Sequence, residues 1–316
     1  MSIGISFLLL FGGILFLSYG AKVLVDGASN LALLLGIKPI VIAATIIALG
    51  TSLPEVCVSV LAAWHGASGI AVGNIVGSNI ANIALIFGIC LLFLDINIKS
   101  ENIIKELVAV YAASLLFALF CFDKVLQPYE SVILLVALAL FLFYYLKLAF
   151  REDKQFKKQL DIEDIQKEGN YARDLLLIVL GLVFLVIGGE VVTKTGVHIA
   201  TYFGISDSII GTSIIAVGTS LPELSVSLMA VLKGKPQISL GTIIGSNILN
   251  ILVIGGIVGF SNVTISNDIL YLSIPVMLLV TFIFAPLAFK HVHIGKKTGI
   301  FFLLGYATFL YFLYRY

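Results

Sequence analysis

The sequence predicts an all-α membrane protein: ten transmembrane helices in two inverted-topology five-helix repeats, with helices 2 and 7 discontinuous. Three observations predict it: the composition, an internal duplication, and a proline set inside each copy of the duplicated motif. Of 316 residues, 60% are hydrophobic and 12% charged, and the mean hydropathy is +1.12, whereas a water-facing domain carries charge on roughly a quarter of its residues. Such a chain cannot cover itself with a solvated surface.

Apolar runs near the ~20 residues that cross a ~30 Å hydrocarbon core fall at 3–25, 38–64, 70–94, 104–122, 126–149, 173–195, 206–232, 237–260, 269–288 and 297–314. A transmembrane barrel would show shorter, alternating segments. The first run, SIGISFLLLFGGILFLSYG, lacks a basic leader and a small-residue cleavage site, so it is expected to be a retained span and not a signal peptide. With the N-terminus outside, Lys22, Lys38, Lys99, Lys105, the seven Lys and Arg from Lys147 to Arg173, Lys233, Lys235, Lys290, Lys296 and Lys297 lie inside. Lys124, Lys194 and Arg315 lie outside. Sixteen cations against three satisfy the positive-inside rule, so both termini are expected outside the cytoplasmic membrane.

Adding 168 to a position in the first half reaches its counterpart in the second: Glu55 maps to Glu223, Gly77 to Gly245, Asn82 to Asn250. The register holds without a gap over 41–89 and 209–257, and about half the positions are identical. This is an internal duplication. Five spans per half is an odd number, so the second copy enters from the opposite side, as in transporters built from inverted repeats. The organisation is therefore a first repeat at 1–150, a charged cytoplasmic linker at 151–172 read as solvated, with a helical turn or two, and a second repeat at 173–316. Lys22 with Asp26, and Glu190 with Lys194, stand four apart with the charge order reversed, and read as local ion pairs or interfacial anchors.

The motif itself is IALGTSLPEVCVS at 47–59 and IAVGTSLPELSVS at 215–227. A proline has no N–H to give the carbonyl four residues back, so Pro54 frees that of Gly50 and Pro222 that of Gly218, and each glycine loosens the turn further. Freed backbone groups persist at membrane depth only where they are packed in protein or line a polar cavity. Thr51, Ser52 and Glu55, and likewise Thr219, Ser220 and Glu223, bring oxygens to that turn. A carboxylate at mid-membrane costs about 2.5–3.5 kcal/mol on insertion scales, and no Lys or Arg stands in these stretches. A bound cation is the simplest counter-charge. Carboxylate, hydroxyl, amide and carbonyl oxygens are hard ligands that suit Ca²⁺ or Na⁺.

The following run carries the other wall. GNIVGSNIANI at 73–83 matches GTIIGSNILNI at 241–251, placing Ser78 with Asn82, and Ser246 with Asn250, on one helical face. Gly73 with Gly77 and Gly241 with Gly245 form G-x-x-x-G pairs that admit a neighbouring backbone. Ser59 and Ser227, one turn after each glutamate, read either as orienters of it or as helix back-bonding groups. Cys57, Cys90 and Cys121 sit in apolar runs without metal or disulfide spacing and read as buried fillers. His65, His198, His291 and His293 fall in loops or near interfaces.

These paired motifs resemble the two α-repeats of the sodium/calcium exchanger family, within the cation/calcium antiporters, and the resemblance covers the whole ten-span plan. It implies alternating access, four ion sites between the repeats, and sliding of the first and sixth spans past a core. Carried over, it makes Glu55 and Glu223 the central Ca²⁺ ligands, also used by Na⁺. It adds Thr51 and Thr219 to the Ca²⁺ site, Ser52, Ser78, Ser220 and Ser246 to flanking Na⁺ sites, and the backbone carbonyls of Ala48 and Ala216. Some relatives carry aspartate at the position of Asn250. Here Asn82 and Asn250 are both neutral, so two carboxylates balance one Ca²⁺ while three Na⁺ would leave +1, and a potassium-dependent mode is disfavoured.

The expectation is a secondary active antiporter exchanging Ca²⁺ for Na⁺ across the cytoplasmic membrane by alternating access. A proton-coupled antiporter and a cation channel are the alternatives. No H-E-x-x-H or Ser/Lys constellation points to an enzyme. No cofactor, nucleic acid or obligatory protein partner is expected, only membrane lipid and the two transported ions.

Overall fold

The structure, a computed structural model, describes residues 2–93, 96–97, 104–159, 170–203, 216–284 and 293–315. Outside the described residues lie 160–169 of the linker, the first part of the run at 206–232 with 209–215 of the repeated stretch 209–257, the end of the run at 269–288, and Lys99, Lys167, Lys290 and His291. The helices are α1 (Ile3–Leu35), α2 (Pro39–Thr51), α3 (Leu53–Trp64), α4 (Ser68–Phe93), α5 (Ile104–Phe120), α6 (Pro128–Gln159), α7 (Tyr171–Tyr202), α8 (Ala216–Thr219), α9 (Leu221–Leu232), α10 (Pro236–Ser261), α11 (Ile269–Phe284) and α12 (Lys296–Leu313). Among the described residues four two-residue strands pair as β1 (Ile96–Asn97) with β4 (His293–Ile294) and β2 (Val125–Leu126) with β3 (Val263–Thr264), both antiparallel.

The described part of each apolar run lies in one helix or in a broken pair, the run at 206–232 being described from Ala216 on, and α6 carries on through Arg151 into the linker as far as Gln159. By length and composition, five described helices can cross a membrane alone, and six if the bent pair α2 and α3 counts as one. This is a multi-pass helical membrane protein. Its exposed large side chains, such as Leu8, Leu119 and Phe143, suit contact with lipid tails. Cys90 and Cys121 are buried as expected, but Cys57 is exposed: it lies on the outward side of α3, whose buried residues are Glu55, Ser59 and Ala63.

The chain forms two compact units, Met1–Pro54 with Leu146–Thr242 and Glu55–Tyr145 with Ile243–Tyr316. In the first unit α1 and α7 pack through glycines spaced seven apart, the interval that keeps a seam between two helices facing the partner. A Cβ on Gly20 would lie 2.9 Å from the Gly181 carbonyl, and one on Gly188 3.0 Å from that of Gly13. The two contacts exchange under the 168-residue offset, since 13 maps to 181 and 20 to 188. The ends of the seam behave likewise. Ser6 Oγ lies 3.0 Å from His198 Nδ1, and Asn30 Nδ2 donates to Asp174 Oδ1 at 3.4 Å, and the offset carries 6 to 174 and 30 to 198. His198 thus stands on α7 with a partner, and not in a loop.

Gly36, at φ 67°, closes α1 in the left-handed conformation that glycine adopts without strain, and Pro39 opens α2. On α7 the Glu190–Lys194 pair forms at 2.6 Å, as its spacing predicts. Lys22 and Asp26 differ. Asp26 takes Lys233, just beyond α9, at 2.5 Å, and the same ammonium donates to the Lys22 carbonyl. A cation brought in by another helix replaces the local partner, something no spacing along α1 encodes. Burial pushes the adjacent Lys235 ammonium down; Asp26 draws it back up and Lys233 presses it further down.

In the second unit Phe87 sits edge-on to Phe284 and Phe302 at 4.9 and 6.0 Å. A Cβ on Gly299 would meet the Gly88 carbonyl at 2.7 Å, which fixes α12 against α4. Gly255, Gly256 and Gly259 admit Phe117, Leu135 and Ser131 in the same way, so α10 lies close to α5 and α6.

Candidate cation site

The breaks come first, because they place the acids. Helical geometry stops at Ser52 (φ −83°, ψ 4°) and at Ser220 (φ −88°, ψ 8°), and α2 and α3 meet at 46°. Pro54 and Pro222 are the second residues of α3 and α9, where a helix needs no N–H from them. The interruption therefore falls two residues ahead of each proline, and Glu55 and Glu223 occupy the first turn of the new helix. There the unpaired N–H groups and the helix dipole favour a carboxylate, by about 0.3–1 kcal/mol at the surface and up to ~2 kcal/mol when partly buried. Gly50 and Gly218 have a packing reason as well: a Cβ would run into Leu182 Cδ2 and Thr193 Oγ1 respectively, both on α7.

Within the first unit, Ser52 Oγ donates to Glu223 Oε1 at 2.9 Å. Thr51, Ser52, Thr219, Ser220 and Glu223 are all buried. The Ala48 carbonyl accepts Ser52 N–H at 3.0 Å and Thr51 Oγ1 at 3.3 Å, so an ion would reach it by displacing the longer of the two. Ala216 opens the described part of α8. A π-helical turn at Ala43–Ile47 precedes this break.

Within the second unit, Glu55, Ser59, Ser78, Asn82, Ser246 and Asn250 are all buried. Asn74 Nδ2 donates to the Ser59 hydroxyl at 2.8 Å and to the Glu55 carbonyl at 3.2 Å, and Ser78 Oγ donates to the Asn74 carbonyl. The offset maps Asn74 to Thr242, whose hydroxyl bonds back to Ile238, and Ser227 Oγ has no partner among the described residues. Ser59 is thus held by a neighbouring helix, while its counterpart is not. Asn82 and Asn250 both fall in π-helical turns, Ala81–Phe87 and Asn250–Gly255, a widening often found at functional sites. Asn74, Asn79, Asn247 and these turns are the features that the sequence analysis passed over; the repeated Gly-Ser-Asn at 77–79 and 245–247 was the available signal for two of them.

Among the described residues no three His, Cys, Asp or Glu cluster as a metal cage would require. In each unit a buried carboxylate stands with buried hydroxyls, and in the second also with buried amides; these are hard oxygen donors of the kind that suit Ca²⁺ or Na⁺.

The sequence profile of the sodium/calcium exchanger protein family matches residues 5–147 and 174–315. The chain belongs to that family. Among its relatives, the sodium/calcium exchanger MaX1 of Methanosarcina acetivorans is 33% identical, with 98% of each chain covered. The inner membrane protein YrbG of Escherichia coli is 33% identical over 97% of this chain and 96% of that one. Of solved structures, the sodium-calcium exchanger NCX_Mj soaked with 2.5 mM Na⁺ and 0.1 mM Ca²⁺ superposes with a TM-score of 0.80 at 29% identity, over 96% of this chain and 97% of that one. As a member of this family, the chain is a transporter in kind, with an architecture like that of the exchanger NCX_Mj.

Proposed function

We propose that this protein is a secondary active antiporter that exchanges Ca²⁺ for Na⁺ across the cytoplasmic membrane. Glu55 and Glu223 carry the charge that either cation neutralises, with Thr51, Thr219, Ser52, Ser220, Ser78, Ser246, Asn82 and Asn250 and the carbonyls of Ala48 and Ala216 supplying neutral oxygens. The observation that carries the reading is the Ser52–Glu223 bond: a hydroxyl at one helix break holds the acid of the other, so the two motif copies act on one set of charges.

Magnitudes favour a transit site over a structural one. A hydrogen bond to a charged group contributes ~1.5–3 kcal/mol and a helix N-terminus up to ~2 kcal/mol, together close to the ~2.5–3.5 kcal/mol of burying the carboxylate. That balance would let the protein fold without a resident metal and leave the ion free to depart. Alternating access then follows from shared oxygens: the carrier changes facing loaded with one ion species or the other, and an inward Na⁺ gradient expels Ca²⁺. The offset that exchanges the α1–α7 contacts, Gly13 to Gly188 with Gly20 to Gly181, supports inverted five-helix repeats at 1–150 and 173–316. The charge distribution supports both termini outside and the 151–172 linker inside.

The test is radiolabelled Ca²⁺ uptake into proteoliposomes loaded with Na⁺. Uptake is expected only with the outward Na⁺ gradient and is expected to saturate. Uptake that follows a pH gradient without Na⁺ would make the carrier proton-coupled, and single-channel currents would make it a channel.

A further inference from the structure

Four asparagines, Asn79 and Asn82 on α4 and Asn247 and Asn250 on α10, are each 1% exposed and belong to the same compact unit. An amide has a face that accepts and a face that donates, and only the first can bind a cation. Which face is shown therefore decides the sign of the interaction.

For Asn82 the main chain decides it. The carbonyl of Asn79 can only accept, so the Asn247 group that faces it at 3.3 Å is the NH₂. This turns Asn247 Oδ1 the other way. That oxygen can again only accept, so the Asn82 group that faces it at 2.9 Å is also an NH₂. Asn82 Oδ1 is left pointing away from the relay, buried and with no partner among the described residues.

The second repeat does not make the equivalent relay. Its offset counterpart would run from the Asn247 carbonyl through Asn79 to Asn250. Asn79 Nδ2 instead donates to the Ile75 carbonyl at 2.7 Å, and Asn79 Oδ1 and both polar atoms of Asn250 have no partner among the described residues. The leftover donor and acceptor, Asn250 Nδ2 and Asn79 Oδ1, are the two that the missing bond would join. One amide is aimed by its bonds, and the other has no bond among the described residues that fixes its faces.

We infer that Asn247 is a positioning residue: anchored on the Asn79 carbonyl, it turns the oxygen of Asn82, and not its NH₂, toward the transported cation. The inference rests on the exchanger reading above. A buried oxygen oriented before the ion arrives adds affinity without the entropy of ordering it, while Asn250 stays adjustable for ions that want different ligand numbers.

Equilibrium binding of radiolabelled Ca²⁺ to the purified full-length protein tests it, alongside half-saturation of Na⁺-driven uptake. Asn247→Leu, which fills the same space without the relay, and Asn247→Ala are both expected to weaken Ca²⁺ about tenfold, the size of one lost contact to an ion, with maximal uptake rate changed by less than about threefold. In an Asn82→Asp background the same substitutions are expected to leave Ca²⁺ affinity unchanged or raise it. A carboxylate shows oxygen on both faces, and removing Asn247 Oδ1 relieves a repulsion. An equal loss in both backgrounds, or no loss in the wild-type background, overturns the inference. Wild-type protein that neither binds nor takes up Ca²⁺ overturns the exchanger reading itself, and is told apart because it needs no variant.

Discussion

Glu223→Gln is expected to lower Na⁺-driven Ca²⁺ uptake by about a hundredfold or more, because removing one charge from a buried pair of opposite charges costs ~3–5 kcal/mol. Glutamine keeps the volume and one oxygen, so the loss reports charge and not packing. Ser52 Oγ would still find an acceptor there, which keeps the break intact. Glu55→Gln is expected to do the same, as the offset counterpart at the start of α3. Uptake in proteoliposomes, normalised to protein that elutes as a single species, is the measurement. Wild-type rates in either variant would remove the acids from the transport path.

The second large effect is on stability. Gly181→Ala is expected to destabilise the protein by about 1–3 kcal/mol, the range for overpacking a tight contact, read as a lower thermal unfolding midpoint in detergent. Its Cβ would lie 2.7 Å from Leu24 Cβ, 2.8 Å from Leu24 N and 2.9 Å from the Gly20 carbonyl. Two of these are main chain, and a helix backbone cannot step aside alone. Gly20→Ala should behave alike, for its neighbours include the Gly181 carbonyl and Leu185 N. Gly12→Ala, with nothing within 4 Å, serves as the control and should hold or slightly raise the midpoint through better helix propensity. An equal drop at Gly12 would show that the effect is not the seam. The glycine seam packs α1 closely on α7, and the resemblance implies that these, the first and sixth spans, slide past the core.

What the sequence disclosed is what local chemistry determines. Helices lie where apolar runs come near the length of a span, and the acid follows a helix break because Leu-Pro cannot sit in a continuous helix. The break stands at Ser52 and Ser220 and not at the prolines, since a proline is tolerated in a first turn; that detail was recoverable from the residues. The seven-residue spacing of Gly13, Gly20 and Gly27 was also present, but a hydropathy window treats these glycines as filler. Other features had no local signal. The partner of Asp26 is Lys233, 207 residues away, and only packing brings them together. The π-helical turns at Asn82 and Asn250 arise from how neighbouring helices pack, with no residue type that demands them. The relay from the Asn79 carbonyl to Asn82 needs the register of α4 against α10, which no single segment states.

Competition binding addresses the central claim, that one set of oxygens, given its charge by Glu55 and Glu223, serves either ion in turn. Purified protein is equilibrated with radiolabelled Ca²⁺ at fixed concentration while Na⁺ is raised at constant ionic strength. The account predicts that Na⁺ displaces Ca²⁺ completely, and that the double substitution Glu55→Gln with Glu223→Gln binds no Ca²⁺ at all. Calcium that stays bound at saturating Na⁺, or that binds the double variant as it binds the wild type, would contradict it.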